Sequence, residues 1–124
     1  MNTLIIDATI QTPYICFDSE NNKFEITGKS LPEDADEFYL PVLDWLKKYK
    51  KQAVNQTFFH FKIDYFNTSS ARYISAMIKI LDELSANHTV KIFWHYRKID
   101  EDMQSMGEEY FETTKVDFEL VEIK

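Results

Sequence analysis

The sequence predicts a single α/β domain, residues 1–124, built on a mixed β-sheet with three helices. Three observations predict it. Residues 3–28 have the composition of extended segments, with no helical stretch between them. Beyond Gly28 the apolar spacing switches repeatedly between the helical period of 3.6 and the strand period of 2. Finally, 124 residues with 2 Gly and 3 Pro are enough for one core and leave little room for long irregular loops.

The N-terminal part predicts three strands. Residues 3–28 contain the extended segments LIIDATI, YICFD and KFEIT, and the last two are separated by SENN, which suits a turn between antiparallel strands. Cys16 alternates with apolar neighbours in the second segment, which favours a small buried hydrophobe over a reactive thiol. As the single cysteine it cannot form an intrachain disulfide.

The first helix is predicted from apolar residues that recur on one face after the loop KSLPEDADE. They are Phe38, Val42, Trp45, Leu46 and Tyr49. Pro41 lacks an N–H donor, so we expect the regular helix to begin close to Tyr39 or to be kinked in its first turn. Four lysines between residues 47 and 51 then form a solvated last turn.

The rest of the chain alternates strands and helices. TFFHFKIDYF at 57–66 reads as a central strand, and a second amphipathic helix follows that ends near Asn87. TVKIFWHY is the next strand, Asp100 caps a third helix through about Glu112, and KVDFELVEI is the last strand. Strands joined by helices require right-handed parallel crossovers, so the sheet combines an antiparallel N-terminal hairpin with parallel strands.

The charge balance limits the partners. A net charge of −7 repels nucleic-acid backbones and anionic lipid, so we expect no nucleic-acid or membrane partner and favour a basic or neutral protein surface. The start MNTLIIDAT has neither a basic region nor an apolar stretch long enough for a signal or a membrane span, which predicts a cytoplasmic protein.

Motifs for catalysis and cofactors are missing. The chain has only two glycines, which excludes the glycine-rich phosphate-binding loops of nucleotide sites. The glycine of DEDMQSMGEE stands too late in the segment for a calcium-binding loop. The spacings of the three histidines match no metal site. We therefore expect no catalytic residue, cofactor or metal; the alternative from the enzyme class uses Asp64, His60 or His95 as an acid or base at the strand ends.

The segment FNTSS, residues 66–70, places three hydroxyls directly after an aromatic strand. Asn67 or Thr68 can cap the helix that follows, and Ser69 and Ser70 fit its first turn. Pattern alone favours plain capping. A phosphoryl group here would nevertheless lie where free N–H groups and the helix dipole favour an anion, so modification need not unfold the domain.

At these residues the sequence resembles the SiaC family of bacterial regulatory phosphoproteins, small acidic members of a partner-switching system. The resemblance covers most of the chain, through ATIQTPYICFD, GKSLPE, FYLPVLDWLKKY, YFNTSSARY and WHYRKIDEDMQSMGEE. YFNTSS together with the GxSxPE and GEE segments is the specific part. Leu31 departs from the pattern, since an aromatic is expected there in many members.

The resemblance implies a fold similar to STAS domains and anti-sigma-factor antagonists, with Thr68 as the phosphoacceptor. It also implies a dedicated protein kinase and a metal-dependent Ser/Thr phosphatase as partners. In the best-known branch the unphosphorylated form activates a diguanylate cyclase, in cyclic-di-GMP control of biofilm formation and aggregation.

The leading hypothesis is a non-enzymatic switch in which unmodified Thr68 lies inside a partner interface and phosphorylation expels the partner. Core burial is the competing role for the flanking aromatics, and it is favoured for Tyr65, which shares a strand face with Phe61 and Ile63. A constitutive adaptor, for which Thr68 is only a helix cap, is the other alternative. The expected partner-binding residues are Tyr65, Phe66, Asn67, Ser69, Ser70 and Tyr73.

Overall fold

The computed structural model describes residues 1–53 and 56–124 as six strands and three helices. Their order is β1 (Leu4–Ile6), β2 (Tyr14–Asp18), β3 (Lys23–Ser30), α1 (Ala35–Gln52), β4 (Thr57–Phe66), α2 (Thr68–Leu84), β5 (Val90–Arg97), α3 (Glu101–Thr113) and β6 (Asp117–Ile123). The predicted mixed α/β fold and element order are confirmed.

The strands form one sheet in sequence order, β1-β2-β3-β4-β5-β6. The pairs β1/β2 and β2/β3 are antiparallel, and β3/β4, β4/β5 and β5/β6 are parallel. The three helical crossovers all step in the same direction across the sheet, so right-handed connections place all three helices on one face. The carboxyl ends of β3, β4 and β5 and the amino ends of the helices consequently meet along one edge, called here the carboxyl edge.

The core lies between the sheet and the helices. Inward-facing strand residues alternate with less buried ones, as the strand period requires. The largest fully buried side chains are Trp94, Tyr39, Phe17, Phe24, Phe59, Phe61, Ile15, Ile26, Leu46, Ile74, Met77 and Ile78. Cys16 is also buried, as predicted, although on the opposite face of the sheet. No helix in residues 1–53 or 56–124 is long and apolar enough to span a membrane.

The first helix begins earlier than predicted. It starts at Ala35, capped by Asp34, whose Oδ1 accepts from Glu37 N at 3.0 Å, so a start close to Tyr39 was wrong. Pro41 lies inside the helix. Its missing N–H frees only the carbonyl of Glu37, and both residues are exposed, so water can satisfy that carbonyl.

Three further boundaries differ. The first strand is shorter than LIIDATI, and the predicted loop from residue 29 begins with the last two residues of β3. α2 ends at Leu84, before the expected Asn87. The cap of α3 is confirmed, since Asp100 Oδ1 accepts from Met103 N at 3.0 Å.

Candidate functional site

The carboxyl edge carries the FNTSS segment, where β4 ends and α2 begins. The three hydroxyls have three different environments. Thr68 is the first residue of α2 and is exposed, Ser69 is exposed beside it, and Ser70 is completely buried. One short segment thus contains both a surface hydroxyl and a core hydroxyl.

The helix cap belongs to Asn67. Its Oδ1 accepts from the backbone N–H of Ser70 at 3.0 Å and from the hydroxyl of Ser69 at 3.0 Å. Of the two residues that the sequence offered for this role, the structure uses Asn67, so the first turn is capped without the Thr68 hydroxyl. The reading of Thr68 as the cap was wrong.

Ser70 joins α2 to the end of β3. Its hydroxyl donates to the carbonyl of Ser30 at 3.1 Å, and the Ser30 hydroxyl donates to Ser70 Oγ at 2.8 Å. The Ser30 carbonyl also accepts from Asn67 N at 3.1 Å. Because the Ser30 proton is used on Ser70, the close contact between Ser30 Oγ and Tyr39 OH requires that Tyr39 donate.

This network extends into α1. Burial raises the pKa of the Tyr39 phenol, although hydrogen bonds with Ser30 and Ser70 oppose the shift. The Tyr39 ring stacks on Tyr73, with centroids 5.1 Å apart and planes 12° from parallel. Ser70 and Tyr73 therefore lie beneath the surface and hold the start of α2 in place.

Tyr65 lies outside the core. In the pairing of β3 with β4, Gly28 is opposite Ile63 but Lys29 is opposite Tyr65, so Asp64 is an extra residue in β4. Such a bulge moves the following side chain to the other face of the strand. Tyr65 is 58% exposed and Phe66 only 9%, so the expected burial of Tyr65 with Phe61 and Ile63 was wrong.

The strand ends also carry one solvent-facing ion pair. Arg97 Nη2 lies 3.3 Å from Asp64 Oδ1, the bulge residue. Beside this pair, Ile99 is 90% exposed in the turn before α3. The accessible part of the predicted set is therefore Tyr65, Thr68 and Ser69, with Asn67 half-buried, while Phe66, Ser70 and Tyr73 lie below it.

The first turn of α2 is electrostatically different from those of the other two described helices. The first turns of α1 and α3 hold two acids each, Asp36 and Glu37 in α1 and Glu101 and Asp102 in α3, whereas that of α2 holds none. Negative charge is favourable at a helix N-terminus because the free N–H groups and the dipole attract it. The first turn of α2, which lacks this negative charge, is the one that carries the three hydroxyls of Thr68, Ser69 and Ser70.

The residues of the alternative enzyme hypothesis divide into a histidine pair and an ion pair. His60 Nδ1 and His95 Nε2 are 3.0 Å apart on the sheet face opposite the helices, and the His60 ring stacks on Phe93. Burial lowers the pKa of His60, and burial together with adjacent His60 lowers the pKa of His95 to about 4. Asp64 is paired with Arg97, and the cavity that touches both Asp64 and His95 has a volume of about 10 Å³, room for about one water molecule.

A metal centre is not formed within residues 1–53 and 56–124, where no three His, Cys, Asp or Glu side chains converge. Sequence reasoning missed Ser30 and Tyr39, since nothing in GKSLPE indicates that its serine is buried. It also did not consider Arg72, which is exposed one helical turn after Thr68 and whose Nη2 lies 3.3 Å from Asp36 Oδ1.

The family model described as "SiaC family regulatory phosphoprotein" matches residues 6–123. The chain belongs to the SiaC family. An uncharacterised protein of Pseudomonas aeruginosa strain UCBPP-PA14 is 31% identical over 124 residues, covering 97% of this chain and 96% of its own length.

Solved structures of SiaC from Pseudomonas aeruginosa have the same fold. One has a TM-score of 0.89 at 25% identity and covers 99% of this chain and 100% of its own. A second, of the diguanylate cyclase SiaD in complex with its activator SiaC, has a TM-score of 0.90 at 26% identity and covers 97% and 99%. The implied similarity to STAS domains stays a prediction.

Proposed function

We propose that this SiaC-family protein is a non-enzymatic switch whose binding to a partner protein is controlled by reversible phosphorylation of Thr68. A kinase transfers the terminal phosphoryl group of ATP to Thr68 Oγ; the new O–P bond replaces the bond to ADP, and the hydroxyl proton passes to a kinase base. A metal-dependent phosphatase hydrolyses the ester with water and releases phosphate. Both enzymes act on this protein in the cytoplasm.

One observation carries the proposal: Thr68 is an exposed hydroxyl at the acid-free start of α2, and Asn67 already provides the cap. A phosphate at this position gains the favourable interaction with the helix N-terminus that Asp36 and Glu37 supply in α1. The buried contacts of Ser70 do not involve Thr68. The modification therefore changes the surface while the fold is retained.

The unmodified surface suits a protein partner. Tyr65 and Ile99 present apolar side chains at the same edge, and aromatic residues frequently act as anchors at interface centres. A phosphate buried there would be desolvated against a partner that fits a neutral threonine. Changing occupancy from 99:1 to 1:99 requires about 5.5 kcal/mol of differential affinity, which one unpaired, desolvated dianion can supply.

The proposed target is a diguanylate cyclase. This rests on the relative of known structure, in which SiaC is the activator of the cyclase SiaD. By analogy, the unphosphorylated protein binds and activates its cyclase and the phosphorylated protein releases it.

The test compares Thr68→Asp, Thr68→Ala and the matched neighbour Ser69→Asp for binding to the diguanylate cyclase of the source organism, by calorimetry. Thr68→Asp should weaken binding at least tenfold, and Thr68→Ala should retain it. Ser69→Asp should weaken it less, because the same charge is added one residue away. Wild-type affinity in both Thr68 variants would contradict the switch.

The second measurement is mass spectrometry of the protein isolated from its cells under several growth conditions. Phosphate on Thr68 that varies with condition supports the proposal. Protein that is unmodified throughout, yet binds the cyclase, would favour the constitutive adaptor.

A further inference from the structure

Arg72 lies on the same face of α2 as Thr68, one helical turn further along. Residues four apart in a helix have Cβ atoms about 5–6 Å from each other, well within the reach of an arginine side chain. In the unmodified protein the Arg72 guanidinium is bound elsewhere. Its Nη2 lies 3.3 Å from Asp36 Oδ1 in α1, and its Cζ lies 5.2 Å from the centroid of the Tyr73 ring.

We propose that Arg72 is the phosphate-binding residue of the switch: on phosphorylation its guanidinium leaves Asp36 and pairs with the phosphate on Thr68. The inference rests on the proposed modification of Thr68 and specifies how the protein responds to it. The bonds exchanged are non-covalent, so one ion pair replaces another.

The existing pair is easily broken. The side chains of Arg72 and Asp36 are 71% and 61% exposed, and ion pairs so open to water contribute little because solvent screens them. A threonine phosphate carries about −1.5 to −2 charges against −1 for a carboxylate, and its oxygens match the planar guanidinium fork. Both differences favour the phosphate.

Other cations at the carboxyl edge are placed less well. Arg97 is paired with Asp64 at the end of β5, and Lys29 is on β3, in register with Tyr65. Lys98 is exposed in the turn after β5. None of these three residues lies on α2 at helical spacing from Thr68.

The exchange would alter more of the surface than the phosphate alone. Asp36 loses its cation and becomes an unpaired carboxylate at the start of α1, beside a helix end that has just gained a dianion. A link between α1 and α2 is also released. A partner that fitted the neutral hydroxyl and the Arg72–Asp36 pair would meet two changes at once.

The experiment uses the full chain with phosphothreonine placed at position 68 during translation, so that no kinase is needed. The second pKa of the phosphate is measured by ³¹P NMR titration in about 0.1 M salt in the parent and in Arg72→Gln, Asp36→Asn and Lys79→Gln. Lys79→Gln is the matched control. It removes the same charge from the same helix, but at a position about 16 Å from Thr68 along the helix axis, beyond the screening length of about 10 Å.

Arg72→Gln should raise the phosphate pKa by about half a unit, a threefold change in proton affinity, because a nearby cation favours the dianion. Asp36→Asn should lower it, since the competing carboxylate is gone. Lys79→Gln should change it by less than about a tenth of a unit. Circular dichroism confirms that each variant is folded, and Arg72→Lys should give an intermediate value, because it keeps the charge and loses the fork.

Equal pKa values in Arg72→Gln and Lys79→Gln would overturn the proposal, as would a rise on Lys29→Gln that Arg72→Gln does not produce. Neither result would contradict the proposed function, which is tested separately by measuring binding to the cyclase. In turn, a phosphate that pairs with Arg72 but leaves cyclase binding unchanged would defeat the switch and retain the pairing.

Discussion

The hydroxyl of Ser30 donates to the hydroxyl of Ser70 at 2.8 Å, across 40 residues of sequence and with both side chains fully buried. Ser70→Ala should therefore lower the free energy of unfolding by about 1–3 kcal/mol, because the Ser30 hydroxyl and carbonyl lose a buried partner. Urea denaturation measures it. Ser69→Ala is the control and should cost less than about 0.5 kcal/mol; similar losses in both variants would contradict the buried network.

The cap at Asn67 gives a second stability test. Asn67→Ala should cost about 1 kcal/mol, since the N–H of Ser70 loses its acceptor, while Asn67→Asp should retain most of the stability. Thr68→Ala should be close to neutral. Thermal and urea unfolding that placed the loss at Thr68 would assign the cap to Thr68 instead.

Tyr65 and Phe66 are adjacent, but substitution of Tyr65 should weaken partner binding whereas substitution of Phe66 should lower stability. Tyr65→Ser should weaken cyclase binding by tenfold or more and leave unfolding nearly unchanged, as expected for an exposed anchor. Phe66→Ala should cost about 3–5 kcal/mol of stability as a core truncation. Phe111→Ser controls for loss of an exposed aromatic, since Phe111 is 54% exposed near the far end of α3. Equal binding losses for Tyr65→Ser and Phe111→Ser would remove Tyr65 from the interface.

The pair of His60 and His95 predicts a stability loss in mild acid. The pKa of His95 is about 4 in the folded protein against an ordinary 6.5, so the unfolded chain binds the proton first as pH falls. As the pH falls from about 6.5 to about 4, the free energy of unfolding should decrease. Above about pH 6.5 this histidine should not make the free energy of unfolding depend on pH. Urea midpoints across this range should decline less steeply in His95→Gln. A decline as steep in His95→Gln as in the parent would contradict the lowered pKa of His95.

Gly107 should resist substitution although it lies inside a helix. A Cβ at this position would lie 2.8 Å from Trp94 Nε1 and 2.5 Å from Leu120 Cδ2, so α3 can pack closely on the sheet only with glycine there. Gly107→Ala should cost about 1–3 kcal/mol through overpacking, despite the better helix propensity of alanine. Ser105→Ala, exposed on the same helix, should be neutral or slightly stabilising. A Gly107→Ala variant as stable as wild type would show that Trp94 moves freely.

The alternation of apolar residues predicted the strands and helices because burial on one face imposes the period directly. It failed at Tyr65, where a bulge in the pairing with β3 reverses the alternation, and a bulge depends on the neighbouring strand. The predicted start of the first helix was wrong for another reason. Pro41 is a poor helical residue in isolation, but the cap at Asp34 and the packing of Tyr39 fix the helix before it is reached.

At the candidate site, the sequence pattern could not distinguish the environments of the three hydroxyls in FNTSS. Asn67 and Thr68 are both compatible with capping and Ser69 and Ser70 with the first turn, and only the position of Ser30 decides that Ser70 is the buried one. Ser30 is distant in sequence, and its approach is a property of the parallel pairing of β3 and β4.

If Thr68 is phosphorylated as proposed, the burial of Ser70 two residues later restricts what the kinase can recognise. A kinase that binds its substrate as an extended strand would have to draw residues 67–70 out of α2, breaking the cap and the contacts with Ser30. A kinase that acted on Thr68 of the folded protein would instead dock on the surface around it. It would then recognise a shape that residues distant in sequence form together and that a short peptide of the same sequence does not present.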